Sequence, residues 1–300
     1  MNTNKFPLVS LITLNYNNTD LTYDFLSSIR NLTYKNIEVI VVDNHSEVDP
    51  GMILRQAYPD VKIVYNDRNL GFTGGNNAGI KVATGDYLFF INNDTVVSHN
   101  LIEPLLQVFD NFPDAGAVSP KFHYFFSPGV IEYAGYEKVN SITGRNKMIG
   151  CLERDTGQYD VVSETNYAHG GGIMIPKKVM DEIGGKWPDI YFIYYEEFDL
   201  CEQIKRLGYK IYYQPACVIH HKESMTTGKG SPFKVYYMNR NRILFMRRNV
   251  NKIKLFIFFS YFVFITFPKN TILFILRREK AQLIAFFRAI WWHIRHPLLS

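Results

Sequence analysis

Three short stretches of this 300-residue chain carry side chains that can hold a cation, take a proton or read a polar ligand. Asn92-Asn93-Asp94 directly follows the apolar run Tyr87-Leu88-Phe89-Phe90-Ile91. Tyr195-Glu196-Glu197-Phe198-Asp199 opens a helical pattern, and His220-His221 closes the strand-like stretch from Ile211 to Ile219. Carboxylates and neutral imidazoles are ordinary ligands for divalent ions, and a carboxylate can serve as a base. Each stretch also has a plain structural reading. Asn and Asp form turns, acids in a first helical turn suit the helix dipole, and a histidine can simply end a strand.

The frame around them favours chemistry. Leu8–Leu14, Ile37–Val42, Val61–Tyr65 and Tyr87–Ile91 read as strands of nearly continuous apolar character. Helical patterns lie between them: Asp20 to Arg30, a stretch up to Tyr58, and Asn77 to Ala83. That alternation predicts a mostly parallel, doubly wound α/β sheet with helices on both faces. In such sheets ligands sit beyond the carboxyl ends of the strands. Those ends carry Asn15-Tyr16-Asn17-Asn18, Asp43-Asn44, Asn66-Asp67 and Asn92-Asn93-Asp94, so four strands deliver polar residues to one edge. After residue 115 the pattern loosens into short strands and turns, with a Gly-rich strand start at His169-Gly170-Gly171-Gly172. The helix opened by Glu196 is predicted to run to Leu207 and stop at Gly208.

Two phosphate-binding designs are excluded. A dinucleotide site needs glycines between the first strand and first helix, where this chain has Asn15-Tyr16-Asn17-Asn18-Thr19. There is no G-x-x-x-x-G-K-[ST] loop, and Gly71-Phe72-Thr73-Gly74-Gly75 matches neither spacing. A nucleotidyltransferase on a similar sheet would need a Lys-containing, Gly/Arg-rich loop after the first strand, which is also absent.

Taken in order, the segments resemble bacterial glycosyltransferase family 2, and within it the rhamnosyltransferase-like branch. The matching stretches are Val41-Val42-Asp43-Asn44-His45-Ser46, Asn69-Leu70-Gly71-Phe72-Thr73-Gly74-Gly75-Asn76-Asn77-Ala78-Gly79 and Gly85-Asp86-Tyr87-Leu88. Asn92-Asn93-Asp94-Thr95, Gly170-Gly171-Gly172-Ile173-Met174-Ile175 and Tyr194-Tyr195-Glu196-Glu197-Phe198-Asp199 follow, then Val218-Ile219-His220-His221 and Arg240-Asn241-Arg242. The resemblance spans roughly residues 6–248. It implies a GT-A fold, a nucleotide-sugar donor, Mg²⁺ or Mn²⁺, and inversion at the anomeric carbon.

The resemblance also implies roles. Asp94 is expected to ligate the metal and His220 to complete the site, although a one-residue shift after Pro215 would put His221 there instead. Asn92 stands where the family usually has a second acid, so it offers only a neutral carbonyl or a hydrogen bond to the donor. Glu197, standing where the family places an Asp, is the expected base, with Asp199 as the second candidate. Asp43 matches the residue that receives a pyrimidine edge, flanked by Asn15 and Asn17, and Asn77 matches a nucleotide contact. Asn93 belongs to the same donor site. Gly171 and Gly172 are expected to leave room for the donor sugar, and Gly74 and Gly75 to let the backbone pass close to the nucleotide.

The net charge of +5 conceals a division of the chain. Residues 233–300 carry 13 Lys/Arg and one acid, Glu279, whereas residues 1–232 carry 20 basic and 27 acidic groups. The expected organisation is therefore a catalytic domain over 1–232 and a basic, aromatic helical tail over 233–300. Leu255–Phe267 is an uncharged run of 13 residues, which as a helix spans roughly 20 Å, short of the ~30 Å hydrocarbon core of a bilayer. Pro268-Lys269-Asn270 is read as an interruption, and basic residues flank the run on both sides. Such flanks with Phe, Tyr and Trp suit amphipathic helices lying on a membrane surface. Nucleic acid is disfavoured, because the charge is interleaved with long apolar runs. Three cysteines without close spacing read as free thiols, and the Leu8–Leu14 run is too short and interrupted for a signal peptide. The expectation is a cytoplasmic enzyme, peripheral at the inner face of the cell membrane. It would transfer a sugar, rhamnose among the candidates, from a dTDP- or UDP-sugar to a lipid-linked or growing glycan. The competing reading is a non-catalytic sugar-nucleotide-binding or scaffold subunit.

Overall fold

The computed structural model describes residues 6–222 and 230–297. The first half alternates strand and helix: β1 (Val9–Asn15), α1 (Thr19–Ile29), β2 (Ile37–Asp43), α2 (Gly51–Ala57), β3 (Lys62–Tyr65), α3 (Gly71–Ile80) and β4 (Tyr87–Ile91). The four strands pair in parallel in the order β3-β2-β1-β4, with Asn15 and Asp43 side by side in register. The apolar runs of β1, β2 and β4 are buried on both faces, as a sheet covered on both sides requires, while β3 forms the more exposed edge.

Beyond β4 the sheet becomes mixed. The elements that follow are β5 (Thr95–Val97), α4 (Ile102–Asn111), β6 (Ala115–Tyr124), β7 (Ile131–Tyr133), β8 (Ser163–Thr165), β9 (Gly172–Pro176), α5 (Lys177–Glu182), α6 (Glu196–Arg206) and β10 (Lys210–His221). Strand β9 pairs antiparallel to both β4 and β6, while β10 runs parallel to β6 and antiparallel to β5 and β8. The first four strands and the β6–β10 pair run parallel, while β5, β7, β8 and β9 run antiparallel to their neighbours. The reversal at β9 has a use, since it brings the turn before β9 to the same edge where β4 delivers Asn92.

Helix α3 starts at the glycine cluster, six residues before the expected Asn77. A Cβ on Gly75 would lie 2.9 Å from Leu14 and one on Gly79 2.5 Å from Ile12, so the glycine face lets α3 sit directly on β1. The Cβ of a residue at position 74 would meet Leu70 at 2.6 Å. The glycines expected to approach the nucleotide are thus spent on helix packing.

Four helices complete the chain: α7 (Pro232–Asn249), α8 (Lys252–Tyr261), α9 (Phe267–Leu276) and α10 (Lys280–Arg295). Helix α7 is seated in the body, with Arg240 to Met246 buried. Helix α10 is pinned along it: His293 Nε2 lies 2.8 Å from the Arg240 carbonyl, and the Arg240 guanidinium lies 5.0 Å from the Trp292 ring. Pro268 does not break the chain into two short helices. The segment Phe262–Thr266 widens into a π-helical turn just before it, joining α8 and α9 into one run from Lys252 to Leu276. A widened turn accommodates the ring and the carbonyl that proline leaves unpaired. At 25 residues this run is long and apolar enough to cross a membrane by length and composition, and little of it is buried against the protein.

Candidate active site

A cleft of about 710 Å³ opens at the carboxyl edge of β1, β2 and β4. Its floor is Leu14, Asn44, Asn92, Asn93 and Asp94, and its opposite wall is Phe192, Ile193 and Tyr194, with Ser231, Phe233 and Lys234 at the mouth. The volume falls in the range of ordinary small-molecule sites.

At one end Asp94 and His221 face each other, with Asp94 Oδ1 3.2 Å from His221 Nε2. That oxygen is buried and has no well-aligned hydrogen bond. Behind His221, its Nδ1 lies 2.9 Å from both oxygens of Glu132 on β7. An imidazole whose Nδ1–H is fixed by a carboxylate turns its Nε2 lone pair outward, toward Asp94. Lone pair and carboxylate at this separation need a positive charge between them. Without a metal the proton supplies it. Burial alone would lower the His221 pKa, but its hydrogen bonds to the Asp94 and Glu132 carboxylates raise it to about 10. Burial would raise Glu132, and hydrogen bonds from His169 and His221 instead hold it at about 2. A divalent ion suits the same gap, so Asp94 and His221 are fitted to hold one.

Glu132, His169 and His221 also gather their ligand atoms within 4.8 Å of one another. We assign that trio to support. His169 Nδ1 accepts the Gly171 N–H at 3.1 Å, which leaves the proton on Nε2, facing Glu132 at 3.6 Å. His169 thus steadies Glu132, which steadies His221.

His220 does not join this group. It projects from the other face of β10, half-buried, with its ring 5.8 Å from that of His123. Burial and His123 lower its pKa. The expected partner of Asp94 is therefore corrected from His220 to its neighbour.

The other end of the site is built on α6. A Cβ on Gly170 would lie 3.6 Å from Glu197, while the next glycine, Gly171, accepts the Asn92 N–H at 3.0 Å. The 169–172 turn thereby bridges the acidic cluster and the Asp94 strand end. Burial pushes the Glu197 carboxyl up to about 7, and one of its oxygens is buried without a hydrogen-bond partner. Glu196 points inward and is raised well above the carboxylate range by burial and by the Glu197 charge. Glu197 does not line the cleft itself but lies across the Gly170-Gly171 turn from it, and a carboxyl group poised near neutral pH is the pattern expected of a general base.

Asp199 cannot share that role. It is completely buried, accepting from Arg248 Nε at 3.2 Å, Asn249 Nδ2 at 2.7 Å and Gln203 Nε2 at 2.9 Å. It ties α6 to the end of α7, and its expected candidacy as base is withdrawn.

Residues 192–195 are strained. Phe192, Tyr194 and Tyr195 all have positive φ, near 67°, 70° and 71°. Left-handed geometry costs such residues on the order of 1–2 kcal/mol each. Asn241 on α7 holds them, donating to the carbonyls of Tyr191, Ile193 and Tyr194 at 2.6–2.9 Å. Arg240 donates to Ile190 and Tyr191, and the Phe192 carbonyl accepts from the N-terminus of α3. The Arg240-Asn241 pair therefore sets the entry to α6 and, through it, Glu197.

The nucleotide-side residues divide. Asn93 lines the cleft and donates to Thr22 at 2.8 Å. Asn15 donates to Asp43 at 2.8 Å, and Asp43 also accepts from the backbone and hydroxyl of Ser46. Asn17, at φ 53°, accepts from the Glu47 backbone at 2.8 Å. These three share one rigid network beside the cleft. Asn77 lies apart from it, its amide spent on both backbone groups of Trp187 and on Asp189. Gly172 is likewise no donor contact, since a Cβ there would strike Phe122 at 2.7 Å and Ile219 at 2.9 Å. The space over Gly171 is taken up by His169 and Asn92. Lys234 and Glu132 are participants that the sequence motifs did not contain, while Asn44 and His169 stood inside quoted stretches without an assigned role. Glu132 left only a faint trace, as a lone acid between apolar neighbours in Val130-Ile131-Glu132-Tyr133.

The family model described as "Glycosyl transferase family 2" matches residues 10–182, more than half of the chain. The chain belongs to glycosyl transferase family 2. It is a glycosyltransferase of glycan biosynthesis with a GT-A fold. It is 27% identical over 244 residues to a low-salt glycan biosynthesis hexosyltransferase of Haloferax volcanii, covering 79% of this chain and 74% of that one. An N-acetylglucosaminyl-diphospho-decaprenol L-rhamnosyltransferase of Mycobacterium tuberculosis is 22% identical over 227 residues, 68% of this chain and 73% of its own. In fold, a mannosyltransferase of Pyrobaculum calidifontis solved with GDP-Man and Mn²⁺ superposes with a TM-score of 0.59 at 17% identity, covering 97% of this chain and 76% of that structure.

Proposed function

We propose that this glycosyltransferase is inverting and metal-assisted, and that it moves a sugar from a dTDP- or UDP-sugar to a lipid-linked or growing glycan. The observation that carries the reading is the placement of Asp94 and His221 at one end of the cleft, with Glu197 reached across the Gly170-Gly171 turn. A divalent ion, Mg²⁺ or Mn²⁺, held by Asp94 and His221 would neutralise the charge growing on the nucleotide diphosphate as it leaves. Asp43, oriented by Asn15 and Ser46, suits the ring N–H of a pyrimidine. That chemistry favours uracil or thymine, and rhamnose is one sugar supplied on thymidine diphosphate.

Glu197 takes the proton of the acceptor hydroxyl as its oxygen bonds to the anomeric carbon and the bond to the diphosphate breaks. A single base opposite the leaving group suits one in-line displacement, hence inversion. Asn92 and Asn93 border the diphosphate as neutral hydrogen-bonding groups, so Asp94 is the one acid of that tripeptide available to the ion.

The catalytic unit in this reading comprises residues 1–232, steadied by α7. The basic segment 233–300 holds it against the inner face of the cell membrane. Phe256, Phe264, Ile275 and Leu276 expose their side chains along the Lys252–Leu276 run, and Trp291 does so on α10. Arg277, Arg278 and Lys280 stand at the end of that run, where anionic headgroups would meet them.

The test is nucleotide release from a panel of dTDP-, UDP- and GDP-sugars, each with Mg²⁺, Mn²⁺ or a chelator. Turnover of a pyrimidine sugar that stops with the chelator is expected. Undiminished turnover in the chelator would remove the metal, and GDP-sugar preference would remove the assignment of Asp43.

A further inference from the structure

Arg242 on α7 is a buried cation that no carboxylate among the described residues neutralises. Its side chain is 4% exposed, and its Nε is buried with no hydrogen-bond partner. Its one side-chain hydrogen bond among the described residues goes to Asn239 Oδ1 at 3.0 Å, one turn back on the same helix. No carboxylate among the described residues pairs with it, and the charge of another cation, Arg145, acts on it unfavourably. Burial and the Arg145 charge together lower its pKa to about 10. Guanidinium groups are kept inside proteins when an anion satisfies them, because desolvation otherwise goes unrepaid.

The surroundings say which anion. Arg145 ends the turn 140–145 and is exposed. At Gly144, φ is +65°, and a Cβ would lie 3.0 Å from Arg242 Cγ and 2.9 Å from Phe258. The turn therefore rests on Arg242 and on α8 at once. On one side the Gly144 carbonyl accepts from the Tyr195 hydroxyl at 2.9 Å, and Tyr195 stands two residues before Glu197. On the other side the Arg242 guanidinium lies 5.3 Å from the Phe262 ring, where α8 passes into the exposed apolar run. A base, two guanidiniums and a lipid-compatible helix thus follow one another in space.

We propose that Arg145 and Arg242 form an anion site for the phosphate groups of a lipid-linked acceptor, set between Glu197 and helix α8. The inference rests on the reading of Glu197 as the base and narrows the acceptor to a sugar on a lipid phosphate or diphosphate. Paired guanidiniums match phosphate oxygens in a bidentate manner, and the lipid chain leaves along Phe258 and Phe262. This site is separate from the donor end, since it connects to Glu197 through Tyr195 and not through the Gly171–Asn92 contact.

The test measures binding of farnesyl diphosphate, farnesol and inorganic diphosphate to the full chain, with a chelator present so that a metal at Asp94 and His221 contributes nothing. We expect farnesyl diphosphate to bind, farnesol to bind at least tenfold more weakly, and Arg145→Gln to weaken the diphosphate lipid about tenfold or more. Arg145 is exposed, so this variant should fold; Arg242→Lys serves as the second, keeping charge while losing the fork. Unchanged binding in Arg145→Gln overturns the proposal. Inorganic diphosphate binding as tightly as the farnesyl compound overturns its lipid part and leaves a free-phosphate site. Nucleotide release by the unsubstituted protein is scored separately, so a failed acceptor site and a failed transferase reading give different results.

Discussion

Replacing Glu197 by Gln changes one atom at the centre of the proposed chemistry, and the consequences can be worked out for both rate and stability. The native carboxyl group is pushed up to about 7, from 4.5, by burial. A base must be deprotonated to act, so kcat/KM for transfer should rise through an acid limb near pH 7, not near pH 4.5. Loss of general-base catalysis typically costs 10²–10⁴ in rate, and Glu197→Gln should lose a factor of that order. Donor binding, measured by titration with the nucleoside diphosphate, should survive.

Stability gives an independent check with its own sign. A folded-state pKa above the unfolded value means that the native protein holds the proton more tightly. The resulting stabilisation is full below about pH 4.5 and is lost as pH rises through 7. The amount is on the order of 3 kcal/mol, at ~1.4 kcal/mol per pKa unit, as an upper bound for a group with some solvent contact. Gln carries no such loss, so the variant should be more stable than the native protein at pH 8 and similar at pH 5. Thermal unfolding at the two pH values reads this directly. A variant that turns over normally, or an acid limb lying near pH 4.5, would refute the reasoning.

Three further outcomes follow from the geometry. Glu132→Gln should weaken Mn²⁺ binding 10- to 100-fold by calorimetry, because Gln fixes the His221 ring less firmly; unchanged affinity would show that Glu132 does not orient the ligand. Asn241→Ala removes the amide that reaches three carbonyls of the strained backbone and should cost about 2–3 kcal/mol in denaturant unfolding. It should also lower kcat at temperatures where the protein is fully folded, because residues 192–195 lead into Glu197. Phe264→Asp on the exposed run should reduce cosedimentation with anionic phospholipid vesicles severalfold while leaving nucleotide release from donor alone intact.

The frame of the molecule was legible because its signals are local. Apolar runs such as Ile37–Val42 declare a covered strand, and each run ends in a polar turn at the same edge. Asp94 and Glu197 stand out as candidates for the same reason, each standing directly at an element's end. Other residues were decided by partners distant in sequence. Asp199 looks catalytic beside Glu197, but Arg248 and Asn249, about fifty residues on, claim both its oxygens. Asn77 belongs to a family-like motif, yet its amide is taken by Trp187, 110 residues away. Glu132 carries no motif and His169 merely opens a glycine run, and both meet His221 only because β7 and the turn before β9 flank the same strands.

The two adjacent histidines show how narrow the boundary is. Side chains alternate along a strand, so only one of His220 and His221 can face the cleft, and counting by twos should decide which. The count fails at a bulge. Tyr212 pairs with Val118 and Gln214 with Pro120, but Val218 pairs with Lys121, so β10 advances four residues while β6 advances one. Even positions of β10 match even positions of β6 before the bulge and odd positions after it. Pro215, which cannot donate to the ladder, stands inside the irregular stretch, and proline within a strand is the mark of such a bulge or an edge. The sequence therefore announced that the alternation would break without stating how many residues the break would consume. That number, fixed by how Gln214 Nε2 reaches the Pro104 carbonyl and how its Oε1 accepts the Ala216 N–H, is what carries His221 to Asp94.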